Sequence, residues 1–471
     1  MTSPSPSSLT LSPPGSREVV DEAKAQEMVA LWTSQLLSYK NAHPDLSILC
    51  DKVVLSDKSY TSSAASVIAN FLTSTDEFNP SIASGVQIAD LKDIIASRME
   101  EEGLEVLQTL SNAFMESRLT EVDLSDNAMG SKGIVTCQTV LGGKPAIDTL
   151  ERLSLCNNGL SEFSMNEVAD ILTNIDESND SCIANNLTKI HFYNNMSGDN
   201  GCKSFERIMN NCSNKLQDIR FSGTRASSKG SIHISKALQK LGQEGKLGNV
   251  ERLDLADNSF GDSYEELADA LSCCSKLEYI SLKDCILEDD GVAKVCAALI
   301  RASSPLKSAC FSGNDLTPIG AKSVAKLIKS VNGTLEYLGA EENTELTSNG
   351  VKRITDALDS ITMKELVLNM TYCGTKGANA LIDCSKRLPN LEKLQLDENY
   401  FTEDLVERLS DVFGDKLIPM EDNDEDDDVD ADMEDEEDDE EEDDEEEEEK
   451  KESNNIDDLG GLIEGIANVG L

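Results

Sequence analysis

The stretch LERLSLCNNGL, residues 150–160, and its close copy VERLDLADNSFG, residues 250–261, decide how this chain folds. Each spaces its residues as aliphatic, two variable positions, leucine, one variable position, leucine, two more variable positions and an asparagine. Alternation over Leu153-Ser154-Leu155 is the period of a strand, with both leucines on one face and the residue between them on the other. Working outward, the same spacing starts at Leu119, Leu187, Leu216, Leu277, Leu306, Leu335 and Leu391, with weaker copies at Val53, Ile88 and Met363. From Leu119 on, successive starts lie 27 to 37 residues apart. The second half of each unit places apolar residues three and four apart, as in GDSYEELADALSCC (261–274) and GAKSVAKLIKSV (320–331), which predicts an amphipathic helix.

A strand and a helix recurring at this period are leucine-rich repeats of the longer, helix-containing kind. The expected fold is therefore an α/β solenoid, a ribonuclease-inhibitor-like horseshoe with parallel strands on the concave face and helices on the convex face. About 12 repeats, the N-terminal cap included, span residues 18–418. Residues 1–17, rich in Pro and Ser, read as a disordered arm, and residues 419–452 as a disordered acidic tail. Residues 453–471 read as a frayed end, with a short docking helix as the alternative. Gly130, Gly261 and Gly320 recur where strand turns to helix and serve the turn rather than a phosphate.

Two neighbouring positions after each strand separate structure from function. The sixth residue of LxLxxN is Asn127, Asn158, Asn195, Asn258, Asn314, Asn343 and Asn399, with Thr224 and Cys285 in the same slot. A side chain there would satisfy buried backbone groups of the turn. The fifth residue precedes it on the exposed rim: Asp126, Asn157, Asn194, Gly223, Asp257, Asp284, Gly313, Glu342 and Glu398. Such a polar, acidic row suits a basic protein partner, and a plain solvated edge is the alternative.

Composition narrows the function. The 471 residues carry 41 Lys and Arg against 89 Asp and Glu, a formal charge of -48. Clustered cations, the source of affinity for phosphate backbones and anionic lipid, are missing, so nucleic acid and membrane surfaces are poor partners. Residues 421–449 alone hold 25 acids in 29 positions, which leaves 64 acids facing 41 bases elsewhere. No run reaches the roughly 20 apolar residues of a membrane span, and the N-terminus lacks the charged start and apolar core of a secretory signal. A reducing, cytosolic or nuclear setting is expected, with the 13 cysteines as buried small apolar residues rather than disulfides or metal ligands. His43, His191 and His233 stand far apart, so no zinc set is expected. No phosphate-binding loop, dinucleotide fingerprint, nucleophile elbow or HExxH motif occurs. The chain reads as a binding protein that does no chemistry alone.

Several segments resemble the Ran GTPase-activating proteins, particularly the plant type: ASRMEEEGLEVLQTLSNAF (96–114), LTEVDLSDNAMGSKG (119–133), LERLSLCNNGLSE (150–162), IHFYNNMSGDNG (190–201), FSGTRASSKG (221–230) and LDLADNSFG (253–261). The likeness runs in one order from roughly Glu18 through the acidic run. It departs at the N-terminus, where Trp32 lies in VALWTSQLL and no Trp-Pro-Pro motif is present, and the animal members' C-terminal domain is absent. The resemblance implies activation of the small GTPase Ran, which gives nuclear transport its direction, by a monomer in the cytoplasm or at the nuclear envelope. The partner would be Ran bound to GTP, together with a Ran-binding protein, and no cofactor would belong to this chain because GTP and Mg belong to the GTPase. In this family an asparagine holds the GTPase's own catalytic glutamine, so orientation replaces a delivered arginine.

By resemblance that asparagine is Asn157, with Asn158 as the alternative register. Arg98 matches an arginine that contributes to activity from a loop, an ordinary surface arginine being the alternative. Asn194 stands where some fungal members carry an arginine, and no arginine role is carried there. Arg225 matches a plant-type arginine that would contact the GTPase, or it caps its turn. Asp126, Asp257 and Asp284, with Asn194 and Arg225, make up the expected partner contacts. The rival reading is a non-catalytic acidic repeat scaffold for histones or other basic proteins, whose known repeats are fewer and shorter. A ribonuclease-inhibitor-like binder is a second rival, disfavoured by 4% aromatic residues and one Trp.

Overall fold

The computed structural model describes residues 8–46, 48–175 and 181–423. The N-terminal part holds β1 (Leu9–Leu11), β2 (Val19–Val20), α1 (Glu22–Ala42), β3 (Cys50–Val54), β4 (Ser59–Tyr60), α2 (Ser62–Thr73), β5 (Ile88–Asp90) and α3 (Glu100–Ala113). The middle follows as β6 (Glu121–Asp123), α4 (Gly130–Thr136), α5 (Gln138–Gly142), β7 (Arg152–Ser154), α6 (Glu162–Leu172), β8 (Lys189–His191), α7 (Gly198–Met209), β9 (Asp218–Arg220), α8 (Ser228–Gln243), β10 (Arg252–Asp254) and α9 (Tyr264–Leu271). The last third is β11 (Tyr279–Ser281), α10 (Glu288–Ala302), β12 (Ser308–Cys310), α11 (Pro318–Val331), β13 (Tyr337–Gly339), α12 (Thr347–Ala357), β14 (Glu365–Val367), α13 (Thr375–Cys384), β15 (Lys393–Gln395) and α14 (Glu403–Phe413).

Among the described residues, thirteen strands form one parallel sheet in the order β1-β3-β5 and then β6 to β15 in sequence, while β2 and β4 pair apart. This is the leucine-rich repeat solenoid that the spacing predicts. Each three-residue strand holds its repeat in register: Val122 lies opposite Leu153, and Leu153 opposite Ile190. The aliphatic positions of the quoted stretch, Leu150, Leu153, Leu155 and Leu160, are all buried. Burying a leucine contributes roughly 1.5–3 kcal/mol, and this term recurs in every repeat. Phe192, Phe221 and Phe311 fill the position just after the strand in their repeats, and Phe221 stacks on Phe205 at 3.9 Å.

Helix starts follow local chemistry. Asp21, Thr61, Ser161, Ser227, Thr317 and Thr402 each accept a hydrogen bond from a backbone N–H of the first turn. Two of these starts are also held from the preceding repeat: the Asp199 carboxylate accepts from the Ser227 N–H, and the Asp289 carboxylate from the Thr317 and Gly320 N–H groups. These carboxylates lie where the helix dipole favours negative charge.

The expected disordered arm at 1–17 is a part of the fold from Leu9 on. β1 adds a strand beyond β3, and its Leu11 is buried. The Trp32 indole N–H donates to the Ser12 carbonyl at 2.9 Å, and the buried Lys58 ammonium donates to the Pro14 and Ser16 carbonyls and to Glu18. Arg17 pairs with Asp93 at 2.8 Å. The physical reason is end-capping: β3 has an open edge and an apolar underside, and the strap covers both. At the other end, Glu421 and Asp422 donate backbone N–H groups to Asp397, and Asn423 accepts from the Asn399 N–H. The first residues assigned to the tail thus complete the last turn. The rest of the acidic run and the segment 453–471 lie outside the described residues.

Twelve of the thirteen cysteines are buried and Cys273 is partly so, in line with their reading as small apolar residues. Burial pushes the Cys137 and Cys274 thiols up to about 12. Among the described residues, no helix is long and apolar enough to cross a membrane.

Candidate partner-binding rim

The backbone leaves each strand through a turn whose fifth residue is left-handed. Its φ is 52° at Asp93, 62° at Asp126, 51° at Asn157, 53° at Asn194, 64° at Gly223, 56° at Asp257, 55° at Asp284, 63° at Gly313 and 59° at Glu342. Asn, Asp and Gly tolerate this region best, so part of the rim's composition is conformational in origin. The sixth residue then turns inward. Asn158 is buried and donates to the Leu124 carbonyl, while the Asn195 carboxamide oxygen accepts from the Asn158 and Leu160 N–H groups. Asn158 thus sits in the ladder, and Asn157 is exposed on the rim.

The fifth residues stack because their backbones remain in the interstrand hydrogen-bond series. Asp126 N–H donates to Cys156, Asn157 N–H to Tyr193, and Asn194 N–H to Ser222. Adjacent strands sit about 4.8 Å apart, a span that one short polar side chain can bridge to the next. The Asn157 Nδ2 donates to Asp126 Oδ1 at 2.8 Å, and the Asn194 Nδ2 donates to Asn157 Oδ1 at 2.9 Å. The other Asp126 oxygen meets Lys92 Nζ at 3.3 Å, and that bond raises the Lys92 pKa. Lys92, Asp126, Asn157 and Asn194 therefore form a polar rail across four repeats. It stops at Gly223, which has no side chain to continue it.

Beyond Gly223 the acids Asp257 and Asp284 are exposed as expected. The Asp284 carboxylate leans over Gly313, whose missing Cβ leaves it room, and burial raises its pKa. Arg98 reaches the same strand-to-helix edge two repeats before Asn157, but it folds back onto α3. Its guanidinium lies 3.5 Å from Glu102, and its side chain is only 15% exposed. The structure does not bring Arg98 into the rail. Arg225 is exposed, and its turn is held by others: Ala226 N–H donates to the Thr224 hydroxyl and Ser227 caps α8. Arg225 instead lines an open hollow of about 620 Å³ beside the rail, with Glu162, Phe163, Met196 and Asn200.

Sequence reasoning missed Lys92, Phe163 and Met196. Phe163 is 70% exposed and Met196 54%. The signal for Phe163 was available, because Met165, Val168, Ala169 and Leu172 define the buried stripe of α6 and Phe163 falls off it. Lys92 became visible only through its contact, since a lysine two residues after a strand has no signature.

Polar and charged groups of the concave face contact one another across adjacent strands. Arg152 pairs with Glu121 at 2.9 Å, His191 with Asp218 at 2.7 Å and Arg220 with Asp254 at 2.8 Å. Arg220 also lies over the Tyr193 ring at 3.7 Å, and Arg252 over Tyr279 at 3.6 Å. Its cations are committed to neighbours, which leaves the rim as the more available polar surface.

No protein-family model matches the chain. RAN GTPase-activating protein 1 of Arabidopsis thaliana is 30% identical over 136 residues, which cover 29% of this chain and 22% of the plant protein. The NACHT, LRR and PYD domains-containing protein 14 of Mus musculus is 24% identical over 284 residues, covering 60% of this chain and 24% of the mouse protein. The chain thus spans about a quarter or less of the length of these curated relatives. Among solved structures, the yeast Rad7 and Elc1 complex aligns with a TM-score of 0.48 at 16% identity, covering 84% of this chain and 93% of the other.

Proposed function

We propose that this chain activates the GTPase Ran, accelerating hydrolysis of bound GTP by orienting a glutamine that the GTPase itself supplies. The observation that carries this reading is the polar rail with Asn157 at its centre. Asn157 gives one Nδ2 hydrogen to Asp126 and one Oδ1 lone pair to Asn194. One N–H and one lone pair remain, and together they complement a second primary carboxamide. A glutamine held by such a pair is fixed in position and in the sense of its amide, so it can align a water for in-line attack. GTP and Mg stay with the GTPase, and the chain does no chemistry alone. The similarity to a plant RAN GTPase-activating protein supports the choice of Ran.

In this reading Asp257 and Asp284 meet basic groups of the partner, as steering contacts worth about 0–1 kcal/mol each. Arg225, Phe163 and Met196 offer a mixed cationic and apolar contact beside the rail. Arg98 acts from the turn before α3, supporting the edge rather than entering the nucleotide site. The role belongs to nucleocytoplasmic transport, on the cytoplasmic side or at the nuclear envelope.

Single-turnover hydrolysis of Ran-bound GTP tests the proposal. The full chain accelerates the reaction, and Asn157→Ala, or Asn157→Gly, which keeps the left-handed turn, loses about 100-fold of that acceleration. Full acceleration by both variants overturns the mechanism. No acceleration by the unsubstituted chain, with retention of histones in a pull-down, favours the scaffold reading.

A further inference from the structure

Asp126 and Asn194 were expected to touch the partner, yet both use their side chains on Asn157. An exposed asparagine has two nearly equivalent amide flips, and orientation of a substrate glutamine works with only one of them. The rail removes the ambiguity by the chemistry of its members. An ionised carboxylate accepts and cannot donate, so Asp126 can bind only the Nδ2 side of Asn157. With that flip set by Asp126, the Asn157 Oδ1 faces Asn194, which donates to it from Nδ2. Lys92 holds the second Asp126 oxygen, and the Asp126 side chain is only 27% exposed, which limits its own rotation. All three rim residues share the left-handed backbone that aims their Cβ atoms along one line.

We infer that Asp126 and Asn194 are positioning residues that lock the Asn157 carboxamide in a single flip, its free N–H and free lone pair turned outward, with Lys92 anchoring the lock. This inference rests on the reading of Asn157 as the group that orients the partner's glutamine. It separates the rim acids into two kinds: Asp126 acts through Asn157, whereas Asp257 and Asp284 lie beyond the gap at Gly223. A positioning residue changes the maximal rate, while a steering acid changes the concentration needed to reach it and the response to salt.

The test is single-turnover hydrolysis of Ran-bound GTP at varied concentrations of the full chain. Asp126→Gly removes the carboxylate and keeps the left-handed turn, as Gly223 and Gly313 do in their repeats. It is expected to lower the maximal rate about tenfold while leaving the half-saturating concentration within about twofold. Asp126→Asn keeps an acceptor oxygen but can also donate and loses the ionic pair with Lys92, so it recovers only part of the rate. Asn194→Gly lowers the maximal rate in the same way. A loss at Asp126 confined to the half-saturating concentration, or an unchanged rate, overturns the positioning role. Full activity of Asn157→Gly overturns the underlying reading instead, so the two failures are distinct.

Discussion

Asn194 and Asn195 differ by one position and by everything that surrounds them. Asn195 is buried, its oxygen accepts from the Asn158 and Leu160 N–H groups, and its Nδ2 donates to the Leu155 and Phe192 carbonyls. Replacement by alanine strands two buried donors, each costing about 1–3 kcal/mol. Asn195→Ala is therefore expected to lower stability by roughly 2–4 kcal/mol, whereas Asn194→Gly stays within about 0.5 kcal/mol; thermal melts followed by far-UV circular dichroism check both. The ladder was legible in the sequence because its spacing is rigid and its purpose, satisfying a buried turn, is the same in every repeat. The rim was legible as a row but not as a rail. Nothing in the residues at 92, 126, 157 and 194 says that their side chains meet. That depends on the strand spacing and on a left-handed turn, and it ends where Gly223 breaks the series.

The strap from Leu9 to Glu18 shows what composition hides. Its Pro and Ser residues resemble a solvated arm, yet Leu9-Thr10-Leu11 is the LxL half of a unit whose helix is α1, and Leu11 is buried. The contacts that hold it come from Trp32, Lys58 and Asp93, tens of residues away, so no local window contains them. Lys58 is the central anchor, with its ammonium buried among two carbonyls and Glu18. Lys58→Met removes the cation and leaves those acceptors unpaired, which costs several kcal/mol locally. The strap is expected to open without unfolding the solenoid. Limited trypsin digestion then cuts after Arg17 at least tenfold faster than in the unsubstituted chain, a tenfold change corresponding to about 1.4 kcal/mol of easier opening. An unchanged cutting rate would show that β1 pairing alone holds the strap. Helices were legible as amphipathic runs, although the repeat after β6 breaks its helix at Cys137 into α4 and α5, following the β-branched run Ile134-Val135-Thr136.

At the scale of the molecule, repeats touch their neighbours and the surface is extended, so charge acts over a long edge rather than at one point. The concave cations are paired at home, while Asp257 and Asp284 are exposed along the rim. Association with a basic partner is therefore expected to slow several-fold as NaCl rises from about 50 to 500 mM, because the Debye length falls well below 10 Å, while the maximal hydrolysis rate stays level. Stopped-flow mixing with fluorescent nucleotide on Ran measures the first, and quenched turnover measures the second. A fall in the maximal rate with salt would place ionic contacts in the chemical step. The fold class was legible across the whole chain because one period repeats from Val53 to Leu391; the electrostatic division between face and rim was not, since it depends on which charges stand on adjacent strands.

The indole of Trp32, held under the strap by Ser12, is the only tryptophan in the chain. Its emission therefore watches one terminus. In a linear array that frays from its ends, the fluorescence signal and the helical signal follow different parts of the molecule. Noncoincident curves from these two probes would mark sequential melting of a single solenoid, not a mixture of species, and red-shifted emission at low denaturant would time the departure of the strap.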